Sequence, residues 1–218
     1  MDLDSCIKGR RSCRDYQDKS VPMELIGELI ESASFAPSAG NLQNWSFIVV
    51  TDDKKRYEIS VACLKQMWMN KAPVFILICN RKKRVTSLFE ERGEIYAIQN
   101  CAIAAQNIML KAHDLGLGTC WVGSLDTEAI RRILKIPDDV MPESVITVGY
   151  PNNFEQEIQR EPIDMITYFD EWGIKKTDTS IWPLSKQVDK LDNKMEKGKG
   201  KISEFFKNLF KRKKTSSE

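Results

Sequence analysis

The sequence lacks a long apolar run. The longest uninterrupted one, Val74 to Cys79, is far shorter than the roughly 20 residues that a membrane-spanning helix needs. The N-terminal residues are charged throughout, so we expect no cleaved secretory signal. The six cysteines form no CxxC pair and the only histidine is His113, which argues against a Cys/His zinc site. Most cysteines lie in apolar periodic segments, as reduced core thiols do, and we expect a cytoplasmic protein without a metal site.

Common catalytic and nucleotide-binding motifs are missing as well. The chain has neither a GxGxxG turn between a strand and a helix nor a GxxxxGKS loop. Ser38 is not part of a GxSxG elbow, so nothing supports hydrolase chemistry. The acidic pairs at 90–91 and 138–139 are typical of solvated charges and not of an acid/base dyad.

The net charge of +2 conceals two oppositely charged parts. From Lys194 to Glu218 the chain has nine basic and three acidic residues, whereas the remainder has 24 basic and 28 acidic residues. An acidic body argues against nucleic-acid binding, and the basic tail is a separate feature.

Helical and strand patterns alternate over the first 170 residues. One helix is predicted after Ser20 as its N-cap, and another from Asp52 to about Met67. A polar loop over residues 80 to about 92 precedes a long helix that ends near Gly116. Strands are predicted at residues 45–50, 74–79, 119–122, 144–150 and 166–169. The pattern indicates a mixed sheet covered by helices, with a body over residues 1–173, a polar linker over 174–200 and a tail over 201–218.

Two segments carry side chains that suit a ligand. The arginine motif, Arg10-Arg11-Ser12-Cys13-Arg14, brings three guanidinium groups and a hydroxyl together, which favours a phosphate site; a solvated charged turn is the alternative. The asparagine loop, Pro37-Ser38-Ala39-Gly40-Asn41-Leu42-Gln43, has small residues that let a planar ligand approach. Its Asn41 and Gln43 can meet the polar edge of a heterocycle, although an ordinary helix-to-strand loop explains it too.

Two further features are weaker. The glycine segment, residues 116–124, ends in Gly123 and Ser124, and its glycines could simply mark close backbone approach. Arg160 follows an asparagine-rich loop and, taken alone, is typical of a surface arginine.

The order of these motifs resembles the FMN-dependent nitroreductase family. The arginine motif continues to Tyr16, and is followed by APSAGNLQNW, LGLGTCWVG, VGYP and Arg160-Glu161-Pro162 at one spacing. The resemblance covers about residues 1–173. It implies an α+β fold with a mixed, largely antiparallel sheet flanked by helices, and a homodimer with two FMN molecules at the interface.

The resemblance also implies which residues contact FMN, each chain contributing to both sites. The phosphate is expected to contact Arg10, Arg11, Ser12, Arg14 and, as a second partner, Arg160. The other subunit is expected to contribute Pro37, Ser38, Ala39, Asn41 and Gln43. The backbone of Gly123 and Ser124 is expected to face the reactive ring nitrogen. No side chain is expected to be catalytic, because FMN carries the chemistry.

The implied activity is ping-pong transfer of hydride from NADH or NADPH, through FMN, to a nitroaromatic, quinone, enone or other small conjugated acceptor. Residues 80–92 and Met67-Trp68-Met69 are the expected pocket walls. A reductive dehalogenase or a flavin-cleaving enzyme is the alternative within the family. Two residues depart from the family pattern: Asn44 stands where proline is common, and Ile158 where a basic residue is common.

The tail suggests an alternative of another class. Its apolar residues recur at helical spacing among lysines, which predicts a basic amphipathic helix; they are Ile202, Phe205, Phe206, Leu209 and Phe210. We expect residues 201–214 to bind an anionic membrane surface or an acidic partner, which would make the protein a tethered flavin-binding interaction protein. A disordered solubilising tail, or a helix packed on the dimer, are the other interpretations.

Overall fold

The computed structural model describes residues 1–153 and 159–176. The chain divides into two units, Met1–Glu157 and Ile158–Glu218. The expected tail, and all but the first residues of the expected linker, lie outside the described residues, as does Ile158. Within the described part, no helix is long and apolar enough to cross a membrane.

The first unit is built on a four-stranded sheet. The strands are β1 (Trp45–Val50), β2 (Val74–Asn80), β3 (Gly118–Val122) and β4 (Met141–Gly149). Their order is β1-β2-β4-β3, and every neighbouring pair is antiparallel. A single parallel bridge joins Ser12 to Thr119 at the β3 edge. The largely antiparallel sheet that the resemblance implied is therefore confirmed.

Among the described residues, five helices belong to this unit and a sixth, short one belongs to the second unit. They are α1 (Leu3–Gly9), α2 (Met23–Ser34), α3 (Asp53–Ala62), α4 (Lys83–Asp114), α5 (Thr127–Leu134) and α6 (Ile163–Ile166). Two 3-10 turns, Ala39–Asn41 and Met67–Lys71, connect elements of the first unit.

Side-chain alternation along β2 divides the core into two layers. Val74, Ile76 and Ile78 pack with α2 and α4 on one face of the sheet. Phe75 and Leu77 pack with α3 and α5 on the other face. All of β2 is buried because helices cover both faces of the sheet, which explains its uninterrupted apolar sequence. All six cysteines lie in the described part, are buried, and form no disulfide.

Two predicted helix boundaries and one predicted strand are wrong. The second helix begins at Met23 with Pro22, not Ser20, as its N-cap. The third ends at Ala62 and does not reach Met67, because Leu64 and Lys65 adopt left-handed backbone conformations that end the helix. The short strand expected at residues 166–169 is absent from the described residues of this region, where the helix α6 occupies 163–166.

The polar loop expected over residues 80–92 is largely helical. Helix α4 begins at Lys83 and is broken once, at Glu90, whose φ is 49°. The segment before the break folds back on Gly93, where an added Cβ would lie 2.6 Å from the Thr86 Cα. Val85 in this segment is fully buried. The segment before Glu90 can pack this closely because residue 93 is glycine, and this packing favours the helix. The polar composition of the segment gives no sign of this contact.

The arginine motif docks along the edge of the sheet through backbone contacts. The Cys13 N–H donates to the Thr119 carbonyl at 2.9 Å, and the Tyr16 hydroxyl lies 2.6 Å from the Cys13 carbonyl oxygen. A Cβ at Gly118 would lie 2.8 Å from both Cβ and Sγ of Cys13. Glycine at 118 therefore allows the segment that carries the arginines to lie against β3.

We expect Gly118→Ala to lower the free energy of unfolding by about 1–3 kcal/mol, because the added methyl overlaps Cys13. Urea denaturation measures this loss. Gly27→Ala is the matched control: Gly27 is on the exposed side of α2 and nothing lies within 4 Å of a Cβ there, so it is expected to stabilise the helix by up to about 1 kcal/mol. Equal effects of the two substitutions would contradict the docking of the arginine motif described above.

Candidate functional site

The arginine motif begins where α1 ends. Arg10 is the C-cap of α1, and its N–H donates to the Cys6 carbonyl at 3.1 Å. The Arg11 guanidinium donates to the carbonyl oxygens of Lys8 and Arg10, which carry the negative end of the helix dipole. Arg10, Arg11 and Ser12 are half-buried. The helix end thus fixes the backbone from which the arginine side chains project.

Arg14 lies farther along the motif and is exposed. Its guanidinium carbon is 5.6 Å from the centre of the Trp68 ring, within range of a cation–π contact. The neighbouring Asp15 is held by Lys71, whose Nζ lies 2.9 Å from Oδ1. Trp68 and Lys71 belong to the same 3-10 turn, so this turn supports the end of the arginine motif.

A positive field surrounds the start of the motif. His113, on the last turn of α4, lies against Gly9, where an added Cβ would be 2.8 Å from its Nε2. Burial lowers the pKa of His113 below its usual 6.5, and the charges of Arg10 and Arg11 lower it further. The positive charges of Arg10 and Arg11 disfavour the protonated, cationic form of His113. By the same electrostatic effect they would favour an anion bound nearby.

The asparagine loop is held in a shape of its own. Gly40, Asn41 and Gln43 all have φ values between 45° and 58°, which L-residues other than asparagine rarely adopt. The Gln43 N–H donates to Ser38 Oγ at 3.0 Å, and the Gln43 side-chain amide donates to Asn41 Oδ1 at 2.9 Å. The Ala39 N–H donates to Asn100 Oδ1 at 3.0 Å. This ordered, strained loop leaves Pro37, Asn41 and Gln43 exposed.

The arginine motif and the asparagine loop do not meet within one chain. The loop is bonded to Asn100 and the arginine motif lies beside His113, thirteen residues later on α4. That interval of helix spans about 20 Å. The loop also leads into β1, whereas the motif lies against β3, at the opposite edge of the sheet and about 14 Å away across three strand spacings.

The other predicted residues are placed as follows. Gly123 and Ser124 are exposed and directly follow β3. The arginine motif contacts the first residues of β3, so Gly123 and Ser124 lie beyond the other end of that strand. Arg160 is exposed and belongs to the second unit. Its role as a phosphate partner stays a prediction.

The expected pocket walls are placed in part near the asparagine loop. A Cβ at Gly40 would lie 3.4 Å from both Leu88 and Phe89, so the first segment of α4 packs on the loop. Phe89 in turn stacks edge-on with Tyr96, with ring centroids 5.3 Å apart. Met69 was expected to line the pocket, but it is fully buried in the core and is not available to a ligand.

A groove elsewhere on the surface contains none of the predicted contact residues. It lies between α3 and α5 and encloses about 720 Å³. Its apolar lining includes Tyr57, Val61 and Ile133. Few polar groups converge on it, so it does not compete with the arginine motif as a site for a charged ligand.

Sequence reasoning missed three asparagines that support the loop. Asn44, Asn80 and Asn100 are buried and hydrogen-bond to one another behind it. Two positions in the sequence could have indicated a buried polar cluster. Asn80 is an amide at the end of an apolar strand, and Asn100 is an amide on the apolar face of a helix. Asn44 was noticed only as a departure from the family pattern, without a structural role.

The sequence of this chain is similar to proteins of one family. A sequence model of the Nitroreductase family matches residues 7–72 and 63–150. A candidate NADH dehydrogenase/NAD(P)H nitroreductase of Methanothermobacter thermautotrophicus is 41% identical over 155 residues, covering 69% of this chain and 78% of that protein. The FMN reductase (NADPH) of Bacillus subtilis is 29% identical over 186 residues, covering 79% of this chain and 75% of its own.

A solved structure extends the similarity to the fold. The FMN-dependent nitroreductase from Clostridium difficile R20291 superposes with a TM-score of 0.67 at 29% sequence identity. The match covers 78% of this chain and 100% of that one.

The field of the arginine motif can be measured, because the chain has a single histidine. We expect proton NMR in a phosphate-free buffer to give a pKa below 6.5 for His113, and Arg10→Gln to raise it. Since the unfolded chain then binds more protons than the folded one, the contribution of His113 to stability falls as the pH drops through 6.5.

Arg132→Gln on the exposed side of α5 is the control and is expected to leave the titration unchanged. A His113 pKa at or above 6.5 in the wild-type protein, or no response to Arg10→Gln, would show that the guanidinium groups create no such field.

Proposed function

This chain belongs to the Nitroreductase family, and we propose that it is an FMN-dependent oxidoreductase that takes hydride from NAD(P)H and reduces a small conjugated acceptor by a ping-pong mechanism. The observation that carries the proposal is the arginine motif, whose Arg10, Arg11 and Ser12 are half-buried between the end of α1 and β3. Nitroaromatics, quinones and enones are the acceptor classes we propose.

The arginine motif fits the phosphate of FMN. A phosphate dianion carries three acceptor oxygens, which match the fork geometry of guanidinium groups. Arg10, Arg11 and Arg14 are the candidates; the Arg11 guanidinium also donates to the carbonyl oxygens at the end of α1, and the Arg14 guanidinium lies by the Trp68 ring. Ser12 adds a hydroxyl, and its backbone is fixed by the bridge to Thr119.

We propose that the cofactor site is shared by two copies of the chain. The arginine motif and the asparagine loop are both suited to one ligand, yet about 20 Å of α4 separates their contacts within a chain. Helix α4 also has an unusual outer face: Ile95, Ile98 and Ile103 are 59%, 52% and 39% exposed, although its inner face already packs on the sheet. A helix that is apolar on both faces is typical of an interface, and a homodimer would cover it.

The residues of this chain bind and position, and they perform no proton transfer of their own. FMN, when bound, supplies the hydride transfer. The guanidinium groups neutralise its phosphate, and the strained asparagine loop presents Asn41 and Gln43 as donors and acceptors toward the ring. Gly123 has no side chain, so its backbone can approach the ring closely. We propose no catalytic side chain, and these roles require none.

The acceptor distinguishes this proposal from the specialised alternatives. A reductive dehalogenase would prefer halogenated aromatics, and a flavin-cleaving enzyme would consume its own reduced flavin. Relative rates over a panel of nitroaromatic, quinone, enone and halogenated acceptors separate the three. Membrane or acidic-partner binding by residues 201–214 stays a prediction, because the tail lies outside the described residues.

We expect the purified protein to be yellow, to contain FMN, and to lose its visible absorbance when NADH or NADPH is added without air. Arg10→Gln is expected to weaken FMN binding roughly 10- to 100-fold, the equivalent of about 1.5–3 kcal/mol for a lost charged hydrogen bond. Titration of apoprotein followed by flavin fluorescence measures this loss.

Arg132→Gln is the matched control, because it removes one surface arginine on α5 without touching the motif. A wild-type protein that stays colourless after incubation with FMN would overturn the proposed function. Equal FMN affinity of the two variants would leave the family intact and remove the assigned role of Arg10.

A further inference from the structure

A continuous series of buried and partly buried hydrogen bonds runs from the asparagine loop to Glu143 on β4. The Ala39 N–H donates to Asn100 Oδ1 at 3.0 Å, and Asn100 Nδ2 donates to Asn44 Oδ1 at 2.7 Å. Asn44 Nδ2 donates to Asn80 Oδ1, also at 2.7 Å. Asn80 Nδ2 then donates to Glu143 Oε1 at 2.7 Å. We refer to these three asparagines with Glu143 as the amide relay.

Every amide of the relay points the same way. Each one donates toward Glu143 and accepts from the loop side. The Glu143 carboxylate can only accept, so it fixes the orientation of Asn80, whose oxygen then accepts from Asn44. The Ala97 carbonyl can only accept and the Ala39 N–H can only donate, and they hold Asn44 and Asn100 in the same direction. This order of donors and acceptors places the Asn100 oxygen toward the asparagine loop, where it accepts a hydrogen bond from the Ala39 N–H.

A local irregularity in β4 coincides with Glu143. Ile78 pairs with Ser144 but Cys79 pairs with Pro142, so Glu143 is the extra residue of a β-bulge. Bulges redirect side chains from the regular alternation of a strand. Here the bulged residue supplies the carboxylate that accepts from Asn80, at the end of β2.

The three asparagines of the relay are buried, so the loss of one of their hydrogen bonds is costly. Asn44 and Asn80 are 0% exposed and Asn100 is 3% exposed. Burial, together with the charge of Glu143, raises the pKa of both Cys79 and Cys101 to about 12. In such surroundings an amide that loses its partner, or meets another oxygen, cannot turn to water.

Asn44 is the central member of the amide relay. It occupies the position where the family resemblance leads one to expect proline. A proline side chain has neither donor nor acceptor and could not connect Asn100 to Asn80. Asn44 also donates to the Ala97 carbonyl at 3.0 Å, which ties the start of β1 to α4.

We propose that Glu143 is a positioning residue for the asparagine loop and acts on it through Asn80, Asn44 and Asn100. This inference rests on the proposed function, in which the loop contacts FMN. The affinity for FMN then depends on an acceptor at position 143 that never touches the cofactor, and on donors and acceptors that match along the relay.

Three variants test the direction of the relay. Asn44→Asp keeps the shape but cannot donate to Asn80; if Asn80 turns to donate to Asp at 44, its oxygen faces Glu143. We expect this variant to bind FMN about tenfold or more weakly. Glu143→Gln can still accept from Asn80 and is expected to bind within about threefold of the wild type.

The double variant, Asn44→Asp with Glu143→Gln, is expected to bind FMN several-fold more tightly than Asn44→Asp alone. In it Gln at 143 can donate to the turned Asn80, which satisfies the bonds between positions 44, 80 and 143 again, whereas the Ala97 carbonyl stays without the donor that Asn44 gave it, so the recovery is partial. FMN affinity is measured on folded apoprotein by flavin fluorescence, with the unfolding midpoint recorded alongside. Asn107→Asp is the matched control, because the Asn107 side chain on α4 donates to the Ser32 carbonyl, outside the relay.

The outcomes separate the possible failures. If the wild type binds no FMN, the proposed function fails and this inference with it. If the wild type binds but the variants shift only the unfolding midpoint, or the second substitution gives no recovery, the relay is merely structural and the inference alone is overturned. Should Asn44→Asp not fold, Asn80→Asp with and without Glu143→Gln asks the same question, since it sets two carboxylates against each other.

Discussion

Helix α4 (Lys83–Asp114) sets the distance between the two parts of the candidate site. Its small inner residues, such as Ala104 and Ala105, pack closely on the sheet and make it a rigid support. Asn100 bonds to the asparagine loop, and His113 lies beside the arginine motif, so one element fixes both. The same rigidity prevents the two from closing on a ligand within one chain, which is why a second copy enters the account of the function.

The two parts of the site are held by different physical means. The arginine motif is attached by backbone bonds to an edge strand, a close approach at Gly118 and the end of α1. These backbone contacts hold the arginine motif in place, and the Arg11 guanidinium adds bonds to the carbonyl oxygens at the end of α1. The asparagine loop, by contrast, carries left-handed residues whose strain is offset by side-chain bonds within the loop and by the Ala39 bond to Asn100. A rigid loop loses little entropy on binding and presents its polar groups in one arrangement.

Much of the fold could be predicted from local patterns. The buried strand at 74–79 and the glycine that follows the long helix were recognisable from period and composition, and the ordered motifs identified the family. Contacts between distant residues were not recognisable. The helical segment before Glu90 depends on Gly93, and the burial of Met69 depends on packing that one sequence does not display. The relay links residues 36 to 63 positions apart, so no window along the chain contains it.

The most direct test of the shared site is a heterodimer of two defective chains. One chain carries Arg10→Gln with Arg14→Gln, and the other carries Gly40→Val, which places a branched residue at a φ of 58°. Each homodimer is expected to bind little FMN. The heterodimer, purified through two different tags, combines an intact arginine motif from one chain with an intact loop from the other, and is expected to bind about one FMN. A heterodimer that binds none, or a wild-type protein that is monomeric, would contradict a site built from two chains.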